Sequence, residues 1–192
     1  GACDKGALPS DYVGYQKVAN PEITKKFSEA YQMDLPTTPG LTLVEMMNAA
    51  HSGDLKVLYI HGEDPVLSDA DIKHTKEAIA NLEMLIVQEL FMTDTAAEAD
   101  VVLPAAGWGE QEGTFTSGER RVQWLRKAQE PPKGTMLDWK IMEEIAVRMG
   151  RPRELFHYET SEDIFNEIRE CAPIMAGMDR KRLDTPEALH WP

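Results

Sequence analysis

Two short apolar runs over residues 57–60 and 84–87, and a third strand-like segment over 100–103 in which Asp100 precedes Val-Val-Leu, set the frame of the chain. An uninterrupted apolar run of this length between polar turns is the pattern of a strand covered on both faces, as parallel sheets require. Between the first two runs, Ile72, Ala78, Ile79 and Leu82 recur at helical spacing. The spacing predicts a helix that starts near Ser68, whose hydroxyl caps it with Asp71 three residues on. Between the second and third runs, residues 91–99 predict a short helix capped near Thr93. The order is strand, helix, strand, helix, strand. Crossovers of this length make the strands parallel and bring their C-terminal ends to one edge. The expected fold is therefore α/β: a Rossmann-like three-layer domain with a mainly parallel sheet and helices on both faces.

The flanking segments are less regular. Pro21 opens a helical run over 22–31, and Leu43, Met46 and Met47 mark another helix within 41–52 that Gly53 stops. A polar, glycine-bearing loop is expected over 105–121, then a further strand over 122–128. Residues 137–149 predict an amphipathic helix with Asp138 at its start, Ile141, Ile145 and Val147 inward, and Gly150 at its end. A last helix is expected over 161–171. The chain thus divides into a lead-in (1–53) packed on the domain, an α/β dinucleotide-binding domain (54–150) and a helical extension of that domain (151–192).

Composition narrows the function. Among 192 residues, 20 basic side chains face 33 acidic ones, for a net charge of −13 that repels polyanions and argues against a nucleic-acid partner. Small anions remain compatible, because backbone N–H groups hold phosphate without a basic surface. No apolar run approaches the roughly 20 residues that cross a bilayer, so no membrane partner is expected. Cys3 and Cys171 form no Cys-x-x-Cys pair, which argues against a disulfide framework or a metal site and suits a reducing, cytoplasmic setting. The chain starts on Gly with no apolar leader, as a piece of a larger protein does.

The three predicted strand ends carry Gly62–Pro65, Gln88–Glu89 and Pro104–Ala105, and ligands of open α/β sheets bind at that edge. Asp64 before Pro65 serves equally well as a turn residue, and Gln88 and Glu89 as solvated strand ends. Glu110 and Glu112 lack a nucleophile nearby and read as loop. Arg120 and Arg121 suit either a pyrophosphate contact or a protected strand edge. The five histidines have no ligand spacing; His61 stands apart because it begins the first strand-end turn. Neither a catalytic residue nor a metal ligand is assigned.

His61-Gly-Glu-Asp-Pro65, Val87-Gln-Glu-Leu-Phe-Met-Thr-Asp-Thr-Ala96, Ala99-Asp-Val-Val-Leu-Pro104 and Trp108-Gly-Glu-Gln-Glu-Gly-Thr-Phe115 resemble, in order and spacing, the molybdopterin oxidoreductase family. The likeness takes in Gly1–Pro9 and Asp138-Trp139, and is closest to the large, catalytic subunit of molybdopterin-dependent formate dehydrogenases. The resemblance implies formate oxidation to carbon dioxide by a parent subunit that holds molybdenum or tungsten between two molybdopterin guanine dinucleotides. Its iron–sulfur cluster and metal-ligating residue lie in parts absent from this sequence. Partners implied are the other domains of that subunit and electron-transfer subunits. By position, Asp64, Ser68, Gln88, Glu89, Ala105 and Asp138 match the family's cofactor contacts. The turn at Gly62, like Ser68, suits ribose or phosphate. A carboxylate such as Asp64 or Asp138 accepts two N–H bonds from guanine's Watson–Crick edge. Glu89 stands where a shorter Asp is commoner, and Ala105 where a hydroxyl often sits. The chain alone is expected to be inactive. Two alternatives stay open: a non-enzymatic interaction domain with an empty inherited pocket, and the same domain from another molybdopterin oxidoreductase such as a nitrate reductase.

Overall fold

A computed structural model describes residues 2–191. In chain order its strands are β1 (Asp11–Tyr12), β2 (Gln16–Lys17), β3 (Val57–His61), β4 (Met84–Glu89), β5 (Val101–Pro104), β6 (Gly113–Thr116), β7 (Arg121–Leu125) and β8 (Leu189–His190). The helices are α1 (Pro21–Ala30), α2 (Leu43–Ser52), α3 (Pro65–Ser68), α4 (Ile72–Ala80), α5 (Asp94–Ala97), α6 (Asp138–Arg148), α7 (Ser161–Cys171) and α8 (Arg180–Leu183). The chain forms two units: Leu41–Glu110 with Glu130–Ala146, and Gly1–Gly40 with Gln111–Gln129 and Val147–Pro192. This partition differs from the expected one, because α2 packs on α4 and so joins the parallel sheet rather than the lead-in.

In the first unit β3, β4 and β5 pair in parallel in that order, as the apolar runs predict. Leu58 and Ile60 on β3 and Leu85 and Val87 on β4 turn to one face, where Met47, Ala50, Val66, Ala78, Ile79 and Ala96 close the core. Strand periodicity then puts Tyr59, His61 and Gln88 on the opposite face. Asp100 clamps the start of β5, its Oδ2 accepting the Leu85 N–H at 2.7 Å. The α2 helix opens with a reciprocal cap between Thr42 and Glu45 and ends at Gly53, whose φ of 83° suits a residue without Cβ.

The helix expected from Ser68 differs. Pro65–Ser68 forms a short helix of its own, and Asp71 caps α4 by accepting the His74 N–H. Asp71 has the shorter reach to the first turn of the apolar-periodic segment, which begins at Ile72, so Ser68 is left at the end of α3 rather than at a helix start.

The route to α6 matters most for function. Residue 136 forms a parallel bridge with Ala105, with Met136 N–H donating to Pro104 O and Ala106 N–H to Met136 O, both at 3.1 Å. The bridge extends the ladder past β5 and starts α6 two residues later, at the C-terminal edge of the sheet. Ile141 is buried as expected, whereas Ile145 and Val147 are only half-buried and Glu143 is buried instead.

The second unit holds β6–β7–β8, antiparallel throughout, and the pair β1–β2. The loop expected over 105–121 therefore contains a strand: Thr114, Phe115 and Thr116 pair with Trp124, Gln123 and Val122 across a turn closed by the Ser117 N–H to Arg121 O bond. The following strand starts at Arg121 and ends at Leu125, short of residue 128. Val13, Phe27, Val122, Phe165, Met175 and Leu189 form this unit's core, and the Tyr12 and Phe27 rings stack at 4.4 Å.

Candidate functional site

The C-terminal ends of β3, β4 and β5 meet at one edge because the pairing is parallel and in step: His61 opposes Gln88, and Glu89 opposes Pro104. Gln88 is completely buried. A buried amide must have its hydrogen bonds met by protein, and both ends of this one are. Its Oε1 accepts from the Tyr59 hydroxyl, and its Nε2 donates to Asp138 Oδ1 at 2.5 Å. The Asp138 carboxylate, which only accepts, fixes which end of the amide faces it, and the Tyr59 hydroxyl then donates to the other end. The same Oδ1 lies 3.2 Å from His61 Nε2. This hydrogen bond raises the His61 pKa above its ordinary 6.5 against the opposing effect of burial, with the charges of Asp138 and Glu89 adding to the rise. Burial, followed by the Asp138 charge, pushes the Tyr59 phenol up as well.

Gly62 and Ala105 attach to this group through the backbone. Gly62 N–H donates to Gln88 O at 2.9 Å, and Ala105 N–H to Glu89 O at 3.2 Å. Gly62 adopts φ 65°, and a Cβ built on it meets nothing within 4 Å, so its backbone faces open space. Glu89 Oε1 accepts its neighbour's N–H, from Leu90, at 2.6 Å.

Asp64 and Ser68 stand differently. Asp64 Oδ1 accepts from the Thr95 hydroxyl at 2.5 Å and from the Thr95 N–H at 3.0 Å. The hydroxyl bond, with further N–H donors from Thr95, Asp94 and Leu67, holds its carboxyl below the usual range despite burial. Thr95 Oγ1 in turn accepts the buried Val66 N–H. Asp64 is thus a strap from the end of β3 to the start of α5, and Ser68 lies exposed at the end of α3.

Of the residues singled out in the sequence, Gln88 and Asp138 meet directly by side chains, and Gly62, Glu89 and Ala105 flank them by backbone. His61, already singled out as opening the first strand-end turn, and Tyr59 complete the group, whereas Thr95 pairs with Asp64 apart from it. Tyr59 and His61 were legible in principle, since alternation on β3 places both on the face that carries Gln88. The loops that follow the strands also expose large apolar side chains: Leu67 after β3, Phe91 (76%) and Met92 after β4, Trp108 (59%) after β5. Among the described residues no helix is long and apolar enough to cross a membrane, and no three metal-ligating side chains cluster.

A family model for molybdopterin oxidoreductases matches residues 2–148. The F420-dependent formate dehydrogenase subunit alpha of Methanocaldococcus jannaschii is 47% identical over 192 residues, all of this chain and 28% of that protein. Formate dehydrogenase H of Escherichia coli is 41% identical over 193 residues, again all of this chain and 27% of the relative. The chain therefore spans about a quarter of the length of these relatives. Among solved structures, acetylene hydratase from Pelobacter acetylenicus superposes with a TM-score of 0.65 over 88% of this chain and 24% of its own, at 17% identity, a likeness of fold.

Proposed function

Because the chain belongs to the molybdopterin oxidoreductase family, we propose that it is the part of a formate dehydrogenase large subunit that holds one guanine dinucleotide arm of the molybdopterin cofactor. The observation that carries this reading is the meeting of Gln88 and Asp138 at the shared strand-end edge. Asp138 supplies the acceptor for a guanine N–H edge, Gln88 and His61 set its orientation, and the Gly62 turn lets a ligand come close to the backbone. Asp64, with Ser68 nearby, shapes the turn beside them through Thr95. Glu89 and Ala105 border the site through main-chain groups.

When bound, the cofactor's metal, molybdenum or tungsten, supplies the redox centre at which formate gives up two electrons, which an iron–sulfur cluster in another part of the parent passes on. This chain binds and orients; catalysis is assigned to parts of the parent outside it. The exposed Phe91, Met92 and Trp108 suit covering by other domains of the same subunit, with electron-transfer subunits beyond. A cytoplasmic setting accords with the free thiols of Cys3 and Cys171.

Calorimetric titration with guanosine diphosphate tests the reading. Binding that Asp138→Ala weakens by about tenfold or more, the loss of one charge-assisted hydrogen bond, is expected, together with no formate turnover by the chain alone. No binding to the folded chain leaves an interaction domain with an empty pocket as the better account.

A further inference from the structure

We propose that β3 is an inner strand of a larger sheet: a further strand and helix from the rest of the parent subunit pair in parallel on its free edge and cover the open sheet face. The inference rests on the reading above that the chain is part of a longer subunit, and it spans about a quarter of its relatives.

Met84 N–H donates to Lys56 O at 3.2 Å and Gly62 N–H to Gln88 O at 2.9 Å, which fixes the phase of the ladder: even-numbered residues of β3 bond to β4. Val57, Tyr59 and His61 therefore turn their N–H and C=O groups outward, and among the described residues no strand takes them. Edge strands of native sheets are blunted by proline, a bulge or inner charge, yet β3 runs Val-Leu-Tyr-Ile between Lys56 and His61 with none of these inside it.

The open face has the same origin. Met47 on α2, Val66 on α3, Ala78 on α4 and Ala96 on α5 all pack into the core on one face of the sheet. On the other face α6 reaches Tyr59, whose hydroxyl lies 3.6 Å from Met142 Sδ, but Val57, Met84 and Val101 at the strand starts stay exposed. The crossovers from β3 to β4 and from β4 to β5 advance in one direction, and their right-handedness puts their helices on one face. A crossover advancing the other way from β3 puts its helix on the opposite face, so one added half accounts for both the unpaired edge and the bare apolar surface. The strand order then reverses at β3, and ligands of doubly wound sheets bind in the crevice at such a reversal. Gly62, with open space beside its Cα, follows β3 at that point, and the loop after the added strand becomes the second wall of the dinucleotide site.

Amide hydrogen exchange, read residue by residue by mass spectrometry on the chain alone and on the full-length, cofactor-free subunit, tests this. In the chain alone the Val57, Tyr59 and His61 amides are expected to exchange about 100-fold faster than those of Leu58 and Ile60, and in the subunit to become as slow as they are. Val57→Glu is expected to leave the thermal midpoint of the chain almost unchanged and to lower that of the subunit. Outer amides that stay fast in the subunit, or a Val57→Glu subunit as stable as the unsubstituted one, overturn the inference. So does protection of these amides in the chain alone; if it rises with concentration, the occupant is a second copy. None of these readouts uses guanosine diphosphate, so failure of that titration leaves this inference standing, and the reverse holds equally.

Discussion

Gln88 Nε2 sits 2.5 Å from Asp138 Oδ1, although the two residues are 50 positions apart. Gln88 ends a central parallel strand, and Asp138 begins a helix that the chain reaches only after the β6–β7 hairpin. The bridge at Met136 closes that distance by docking the incoming chain alongside Ala105. A carboxylate brought to a strand end in this way is supported by a donor that cannot turn away, which makes the edge a preformed acceptor.

Gln88→Leu tests that support. Leucine nearly matches the volume but leaves the Tyr59 hydroxyl without its acceptor and Asp138 without its fixed donor. A loss of about 1–3 kcal/mol in unfolding free energy by urea denaturation is expected. A change near zero would show that water replaces the amide at no cost.

Thr95→Val tests the strap at Asp64. The side chain is fully buried, and valine removes both the hydroxyl given to Asp64 and the acceptor for the buried Val66 N–H. The expected cost is about 1–3 kcal/mol at neutral pH. The Asp64 pKa is depressed below 3.8 in the folded chain, so its contribution is present above 3.8 and lost as pH falls through the lower folded value. In Thr95→Val that acid-side loss shrinks, which urea midpoints measured on both sides of 3.8 will read.

The pair of His61 and Asp138 acts on stability with the opposite sign. The His61 pKa is raised above 6.5, so the stability it contributes is complete below 6.5 and is lost as pH rises through the higher folded value. The effect is small because the imidazole is half in water. Urea midpoints of the wild type are expected to decline over this window, and those of Asp138→Asn to decline less. Equal slopes in the two chains would deny the coupling.

Phe91→Ser probes the rim. With 76% of Phe91 in solvent, the substitution removes almost no buried area, and stability stays within about 0.5 kcal/mol. A large drop in melting temperature would mean that Phe91 packs in the core.

Much of the parallel sheet was legible in the residues themselves. The segments at 57–60, 84–87 and 100–103 became β3, β4 and β5, and the cap at Thr93 formed as a local side-chain-to-backbone bond, because burial preference and capping act over a few residues. Local rules also failed locally: two acceptors, Ser68 and Asp71, competed for one helix start, and the strand at 113–116 was hidden behind its glycines and polar threonines.

What the chain order by itself determined is which segments are strands, that three of them run parallel, and that Gln88 and Asp138 stand at element ends. Tertiary structure alone decided that Gln88 is buried, that Asp138 comes to meet it, that Tyr59 and His61 join them, and that Asp64 turns to Thr95. The physical reason is that hydrophobic periodicity is a property of neighbouring residues, whereas register and the docking of distant segments depend on pairings whose partners no local pattern names.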